Sequence, residues 1–332
     1  MRQTNLSIFI PHNGCPNRCS FCNQNTISGK EKPPTAQEVR RLLAEQQPVL
    51  ERNETAAEIA FFGGSFTAIP CGYMEELLET AAYFTEHFPE QYNGIRCSTR
   101  PDCIDGERLD ILKKYGMTAI ELGAQSMSDR VLKANFRGHT AKDVENAARL
   151  IKEYGFSLGL QMMTGLYLDT PDDCRMTAEK FIEIGCDTVR IYPTVILNGT
   201  YLGELFKKGE YDSFGFEETV DLCAELLEKF GAAGIPVIRL GLHASRDIEE
   251  NMLGGVYHPA LREKAESRIF LRRMIEFMNN SGAKRFRIYT DRRNFSRIIG
   301  QKKENRERLL ERGFSFELSE KPGAELEIEP LG

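Results

Sequence analysis

The strongest constraint on this chain is a regular alternation of two hydrophobic periods. Seven short apolar runs occur at 6–11, 58–62, 95–99, 119–122, 158–162, 188–192 and 236–240. Longer stretches with apolar residues at helical spacing lie between them, at 36–52, 72–87, 107–115, 141–154, 172–184 and 217–231. Short apolar runs bounded by turn residues read as buried strands, and the longer amphipathic stretches as helices. Thr35 and Thr140 stand where helix N-cap hydroxyls are wanted, and Gly116, Gly155 and Gly185 where a left-handed residue closes a helix. Strands alternating with helices over short links predict a parallel sheet covered by helices. About six such units point to an α/β fold, a partial (βα)6 TIM-like barrel with its active groups on loops at the strand C-termini. A doubly wound open sheet is the competing architecture.

The pattern changes after Leu240. We expect the barrel over 1–245, a helical connection over 246–281 with a long helix at 259–279, and a small α+β extension over 282–332. The extension should hold strands near 285–289, 314–318 and 325–328 and a helix near 303–311. The whole chain carries 43 Lys/Arg against 49 Asp/Glu, a net charge of −6. Residues 283–312 reverse this, with eleven Lys/Arg and four Asp/Glu. Phe286, Tyr289 and Phe295 are interleaved with those cations, so the segment is a candidate contact for the phosphates and bases of RNA. A solvated, charged helix and loop is the alternative. The chain has no apolar run of about 18 residues and its first residues lack a signal-peptide core, so the expected setting is cytoplasmic, with no membrane contact.

Cysteine usage points to chemistry. Of nine cysteines, three are crowded into Cys15-Pro16-Asn17-Arg18-Cys19-Ser20-Phe21-Cys22, after the first strand. Thiolates at spacings of four and three can converge on one soft metal centre, either zinc or an iron–sulfur cluster. Zinc normally takes a fourth Cys or His, and His12 is the near candidate. Cys71, Cys97, Cys103, Cys174, Cys186 and Cys223 stand alone and are expected to be packed thiols.

The CxxxCxΦC motif, with Phe21 as its aromatic, resembles that of the radical S-adenosylmethionine superfamily. The resemblance implies a [4Fe–4S] cluster on Cys15, Cys19 and Cys22, with one iron left for S-adenosylmethionine. It also implies reductive cleavage of the sulfonium to a 5′-deoxyadenosyl radical, and a low-potential electron donor such as flavodoxin or ferredoxin. Phe61-Phe62-Gly63-Gly64-Ser65-Phe66 resembles the glycine-rich motif that binds the methionine amino group. Arg137, in Arg137-Gly138-His139-Thr140, would hold the methionine carboxylate, and Glu121 and Gln125 would lie near the ribose or sulfonium. Ser98 and Gln161 are further polar groups on strands facing the cofactor. Arg190, Tyr192, Arg239, His243 and His258 are candidates for the substrate side.

Ser98-Thr99-Arg100-Pro101-Asp102, Glu121 to Ser126, Arg137 to Thr140 and Arg190 to Thr194 occur in an order that resembles the radical domain of the Elp3 family. That family modifies the wobble uridine of tRNA and pairs the radical domain with an acetyltransferase domain. The present chain has no stretch that reads as the latter. The implied function is radical modification of tRNA or another RNA. The same chemistry on a small molecule such as a tetrapyrrole, as in the anaerobic coproporphyrinogen oxidases, is the alternative. A non-catalytic metal-binding module is a third reading.

Overall fold

A computed structural model describes residues 2–10, 15, 18–23, 32–243 and 246–331. The alternation becomes β1 (Arg2–Ile10), β2 (Thr55–Gly63), β3 (Tyr92–Thr99), β4 (Met117–Gln125), β5 (Ser157–Thr164), β6 (Thr188–Pro193), β7 (Val195–Leu197) and β8 (Val237–Leu240). All but β7 join one parallel sheet in the order β1-β2-β3-β4-β5-β6-β8. The order never turns back on itself, so the doubly wound alternative, which needs a switch point, is excluded. The result is a half-barrel.

Local chemistry explains the helices that cover it. Thr35, Thr140 and Thr170 each close a capping box, with Glu38, Asp143 and Asp173. Gly116, Gly155 and Gly185 adopt φ of 73°, 84° and 69° as expected of left-handed terminators. Period two then sorts the strands' side chains. Ile59 and Phe61 of β2, Ile120 and Leu122 of β4, and Leu158 and Leu160 of β5 are fully buried in one core beneath the helices. Their neighbours Glu58, Glu121 and Gln161 face the hollow of the barrel, beside Arg96 of β3 and Arg190 of β6. No helix among the described residues is long and apolar enough to cross a membrane.

The region after Leu240 is more ordered than its composition suggests. A helix at Arg246–Asn251 precedes β9 (Met252–Gly255), which pairs antiparallel with β7. The long helix, Leu261–Ser281, has two faces. Arg268 bridges Glu217 at 2.6 Å and Asp221 at 2.7 Å on the barrel helix Phe216–Ala232. Phe270, Leu271, Met274 and Met278 instead enter a second core. That core is shared with β10 (Arg285–Thr290), β11 (Ser315–Glu320) and β12 (Glu327–Leu331), in the order β11-β10-β12.

Phe286 belongs to this second core and is fully buried, which corrects its expected part in stacking on bases. A helix-packed strand alternates its side chains, so the apolar one turns inward while Arg285 and Arg287 face out. Two of the lone cysteines also depart from expectation. Cys71, first residue of the helix Cys71–His87, is exposed, and Cys103 is only partly buried.

Candidate active site

A cavity of about 920 Å³ opens at the C-terminal end of the barrel strands, and Cys15, Cys19 and Cys22 all line it. The cysteine loop is tied down through Ser20. Its N–H donates to Asn135 O at 3.1 Å, its Oγ donates to Asn135 Oδ1 at 2.7 Å, and its carbonyl accepts from Leu202 N at 2.9 Å. Asn135 is completely buried, and its Nδ2 donates to Val131 O (2.8 Å) and Tyr167 O (2.9 Å). Sequence reasoning passed over Asn135, because its function lies in contacts with residues far away in the chain.

The three thiols feel one another. Burial pushes the Cys22 thiol up to about 12, and the charges of Cys19 and Cys15 add to the shift while Arg137 opposes it. Cys15 is also raised by burial and by Cys19, against Arg100, the Ser65 backbone N–H and Arg137. Three sulfurs whose like charges repel one another, with little water between them, call for cations. Two guanidiniums supply part of the answer: Arg137 Nη1 lies 2.9 Å from Cys19 Sγ and Arg100 Nη1 lies 3.9 Å from it. Among the described residues no group of three or more His, Cys, Asp or Glu closes around a single-ion site. His12, the possible fourth zinc ligand, lies outside the described residues.

Arg100 is a site residue that the sequence did not single out. Its Nε and Nη2 donate to the two carboxylate oxygens of Asp102, both at 2.9 Å, and Nη2 also reaches the Arg137 carbonyl. An Arg at a strand end followed two residues later by Asp was the available signal. Behind Asp102 sits His139, with Nδ1 3.9 Å from Asp102 Oδ1 and Nε2 3.2 Å from Ala124 O. Burial, then Arg137, lowers its pKa to about 4, so it is neutral near pH 7.

The glycine-rich turn and two polar residues complete the upper wall. Gly63 and Gly64 both line the cavity. Gly63 has φ +112°, and a Cβ there would come within 2.8 Å of the Ile10 carbonyl oxygen. Its lack of a side chain therefore admits the end of β1. Ser65 is buried behind the turn, with Oγ 2.8 Å from Thr99 Oγ1 and accepting from Arg100 N at 3.2 Å. Gln125, at the end of β4, is on the wall with φ +69°, a strained conformation for its residue type. Among the described residues, Gln125 Oε1 and Arg137 Nε are buried without a hydrogen-bond partner.

Ser98 and Gln161 form part of the floor, and Gln161 Nε2 donates to Ser98 Oγ at 3.2 Å and to Glu121 Oε2 at 2.8 Å. Glu121 lies beneath them, 1% exposed. Its carboxylate is held by Arg190 Nε at 2.6 Å and Nη2 at 2.9 Å and by Arg96 Nη1 at 3.3 Å, and Arg96 in turn meets Glu58 at 3.2 Å. Arg190 also stands 5.2 Å over the Phe62 ring.

The substrate-side candidates divide. Arg239 lies opposite Arg190 in the β6–β8 register, and its Nε donates to Gly241 O at 2.8 Å. Tyr192 hydrogen-bonds Arg190, and burial raises its pKa. The His243 pKa is lowered by desolvation and then by Arg239 and Arg190, which places it in the same neighbourhood. His258 is elsewhere: its Nδ1 accepts from Ala260 N at 3.1 Å and its ring packs 5.7 Å from that of Phe216. None of these five lines the 920 Å³ cavity.

Comparison with known proteins bears on this arrangement. The radical SAM superfamily model matches residues 9–181, and a Radical_SAM C-terminal domain model matches residues 186–270. An uncharacterized protein of Methanocaldococcus jannaschii is 28% identical over 228 residues, covering 65% of this chain and 68% of that protein. Elongator complex protein 3 of Saccharomyces cerevisiae is 30% identical over 244 residues, covering 68% of this chain but only 43% of the yeast protein. The matched part thus spans less than half of that relative's length. A structure of Methanocaldococcus infernus Elp3 with an N-terminal deletion shares the fold, with a TM-score of 0.61 and 19% identity over 85% of this chain and 64% of that one. Escherichia coli coproporphyrinogen III oxidase shares it at a TM-score of 0.51 and 20% identity, over 70% and 53%. The superfamily's enzymes work with a [4Fe–4S] cluster and S-adenosylmethionine. Because the superfamily match takes in more than half of the chain, from the cysteine loop through the floor of the cavity, this chain belongs to the radical S-adenosylmethionine enzymes, with an Elp3-like body.

Proposed function

We propose that this chain is a cytoplasmic enzyme that modifies tRNA or another RNA by radical chemistry, fed by a low-potential flavodoxin or ferredoxin. The observation that carries the cofactor part is the meeting of Cys15, Cys19 and Cys22 on one cavity, with Arg100 and Arg137 directed at Cys19. An all-sulfur donor set suits an iron–sulfur cluster, and the cavity falls in the size range of cofactor sites. The residues fit.

When bound, the cluster and S-adenosylmethionine supply one-electron cleavage of the sulfonium and a 5′-deoxyadenosyl radical. Cys15, Cys19 and Cys22 would be the metal ligands. Arg100 and Arg137 offset thiolate charge in a buried setting, where such pairing is worth most. Arg137 keeps Nε free of any partner among the described residues, a buried donor suited to a carboxylate. Gln125 Oε1 is the matching acceptor, for an ammonium or a ribose hydroxyl. The backbone of Gly63, Gly64 and Ser65 would receive the amino end of the methionine, while Gln161 and Ser98 close the floor against water. Glu121 is committed to Arg96, Arg190 and Gln161, so its part is to hold the floor together. The RNA substrate rests on the resemblance to the Elp3 radical domain.

The test is anoxic reconstitution followed by turnover. We expect about four irons per chain, release of 5′-deoxyadenosine with dithionite, and loss of both in Cys19→Ala. Deuterium should pass from labelled tRNA into the deoxyadenosine. Transfer only from a tetrapyrrole panel would overturn the RNA assignment and leave the radical chemistry standing.

A further inference from the structure

Two aromatic rings at the mouth of the cavity have no part in the chemistry above. Phe136 and Tyr201 both line it, and each is 45% exposed. Their ring centroids are 4.8 Å apart at 57°, so the two tilted rings form one partly exposed aromatic corner. Neither is there by accident of a loose loop. Asn135 and Leu202, their chain neighbours, are the two residues that Ser20 ties to the cysteine loop by backbone hydrogen bonds. Phe136 is also held at φ +55°, an uncommon conformation for an aromatic residue.

The surroundings are cationic. Three arginines line the cavity (Arg18, Arg100 and Arg137), with no carboxylate among the described residues. Arg100 and Arg137 are directed at Cys19, which leaves Arg18, exposed on the cysteine loop itself, to meet a ligand from solution. Phe136 shares a second, shallower cavity of about 440 Å³ with the exposed Lys133 and with Asp129, whose carboxylate accepts from Ala141 N at 2.7 Å. Exposed aromatic rings beside the exposed cations Arg18 and Lys133 fit a single strand of nucleic acid, whose bases stack while its phosphates meet the charges.

We propose that Phe136 and Tyr201 form a stacking platform for an unpaired nucleobase of the RNA substrate, with Arg18 and Lys133 taking the flanking phosphates. A porphyrinogen macrocycle, puckered at its saturated bridges, offers no comparable flat face. The inference rests on the RNA reading above and adds where the base is received.

The protein has no tryptophan, so Phe136→Trp places one emitter at this rim. Reconstituted full-length protein, with S-adenosylmethionine already bound, is titrated with a short single-stranded RNA and with unfractionated tRNA. RNA should quench the emission further, with the midpoint found from anisotropy of the labelled RNA. Phe136→Leu and Tyr201→Leu, checked for unchanged unfolding midpoints, should each weaken RNA binding by about 5- to 150-fold. Undiminished affinity in both variants, with RNA still bound by the parent, would overturn the platform and spare the RNA reading. So would quenching by S-adenosylmethionine alone with nothing added by RNA. A parent protein that binds no RNA would remove both.

Discussion

The mouth of the barrel and the small C-terminal sheet are both rich in cations, and they use them in opposite ways. At the mouth, Arg137 faces a cysteine sulfur and a backbone carbonyl, with no carboxylate partner among the described residues. In the C-terminal part, Arg285 and Arg287 share Glu317 at 3.8 and 3.2 Å, Arg297 meets Glu266 at 2.8 Å, and Arg308 meets Glu217 and Glu304 at 2.7 and 2.6 Å. Lys284 and Arg306 lie over the Phe314 and Phe316 rings. Eleven cations in thirty residues looked like an RNA track, yet many of these charges are spent on the protein's own carboxylates and rings. The mouth has fewer cations: Arg100 is paired with Asp102, Arg137 faces Cys19, and Arg18 is the exposed one. Charge density along a chain therefore says less about ligands than does the supply of acids across the fold.

The largest expected effect lies under the mouth, where charge is buried and must balance. Glu121→Gln would leave Arg96 and Arg190 facing each other with half their acid gone. Breaking one partner out of a buried ion network costs about 3–5 kcal/mol, so urea unfolding should show a loss of that order. The same change on the C-terminal sheet, Glu317→Gln, should cost well under 1 kcal/mol, because that pair is solvent-exposed. Equal losses in the two variants would erase the contrast.

A pH measurement sharpens it. Asp169, at the start of the helix Pro171–Ile184, accepts from Gly165 N at 2.9 Å and from the Cys174 thiol at 3.2 Å, and burial raises its pKa to about 6. A carboxyl raised in the folded state contributes stability below its unfolded value near 3.8, and loses that contribution as pH rises through about 6. Asp169→Asn cannot ionise. Its stability relative to the parent should therefore climb between pH 4 and pH 7, by up to about 3 kcal/mol. His139 titrates in the opposite sense, losing stability as pH falls from 6.5 towards about 4. It is present in both proteins and cancels in the difference. A flat difference would mean that Asp169 is not buried as described.

Much of this was legible because it is local or periodic. Thr35 and Thr140 announce their helices, and period two sets Ile59 and Phe61 against the helices while turning Glu58 and Phe62 inward. Cys15, Cys19 and Cys22 carry their own spacing. The polar row Glu58, Arg96, Glu121 and Arg190 was not legible as a unit. Each is a single charge on its own strand, and they meet only once the five strands β2 to β6 have curved side by side. Asn135 gave no local sign, since Ser20 lies 115 residues away. Glu121 was visible as polar at a strand end, but the two arginines that claim its carboxylate come from other strands. Phe286 misled for a related reason: alternation on β10 separates it from the arginines beside it.

The smallest expected effect tests the surface itself. Arg292 and Arg293 are exposed, and among the described residues Arg293 has its ion pair with Asp291, at 3.7 Å. If the C-terminal segment is a phosphate track, reversing both charges should lower RNA affinity steeply and flatten its dependence on salt. Because the neighbouring arginines are engaged by the protein's own acids, Arg292 and Arg293 stand as two surface charges without a continuous track, which predicts otherwise. Arg292→Glu with Arg293→Glu should change RNA affinity less than about twofold, whereas Arg18→Glu alone should cost about tenfold and reduce the salt slope by about one. Fluorescence anisotropy at two salt concentrations separates the cases, because a merely unfolded variant would lose affinity at both without the change in slope. Equal loss in the two variants would return the basic segment to the RNA path, and would make the mouth one end of a longer contact.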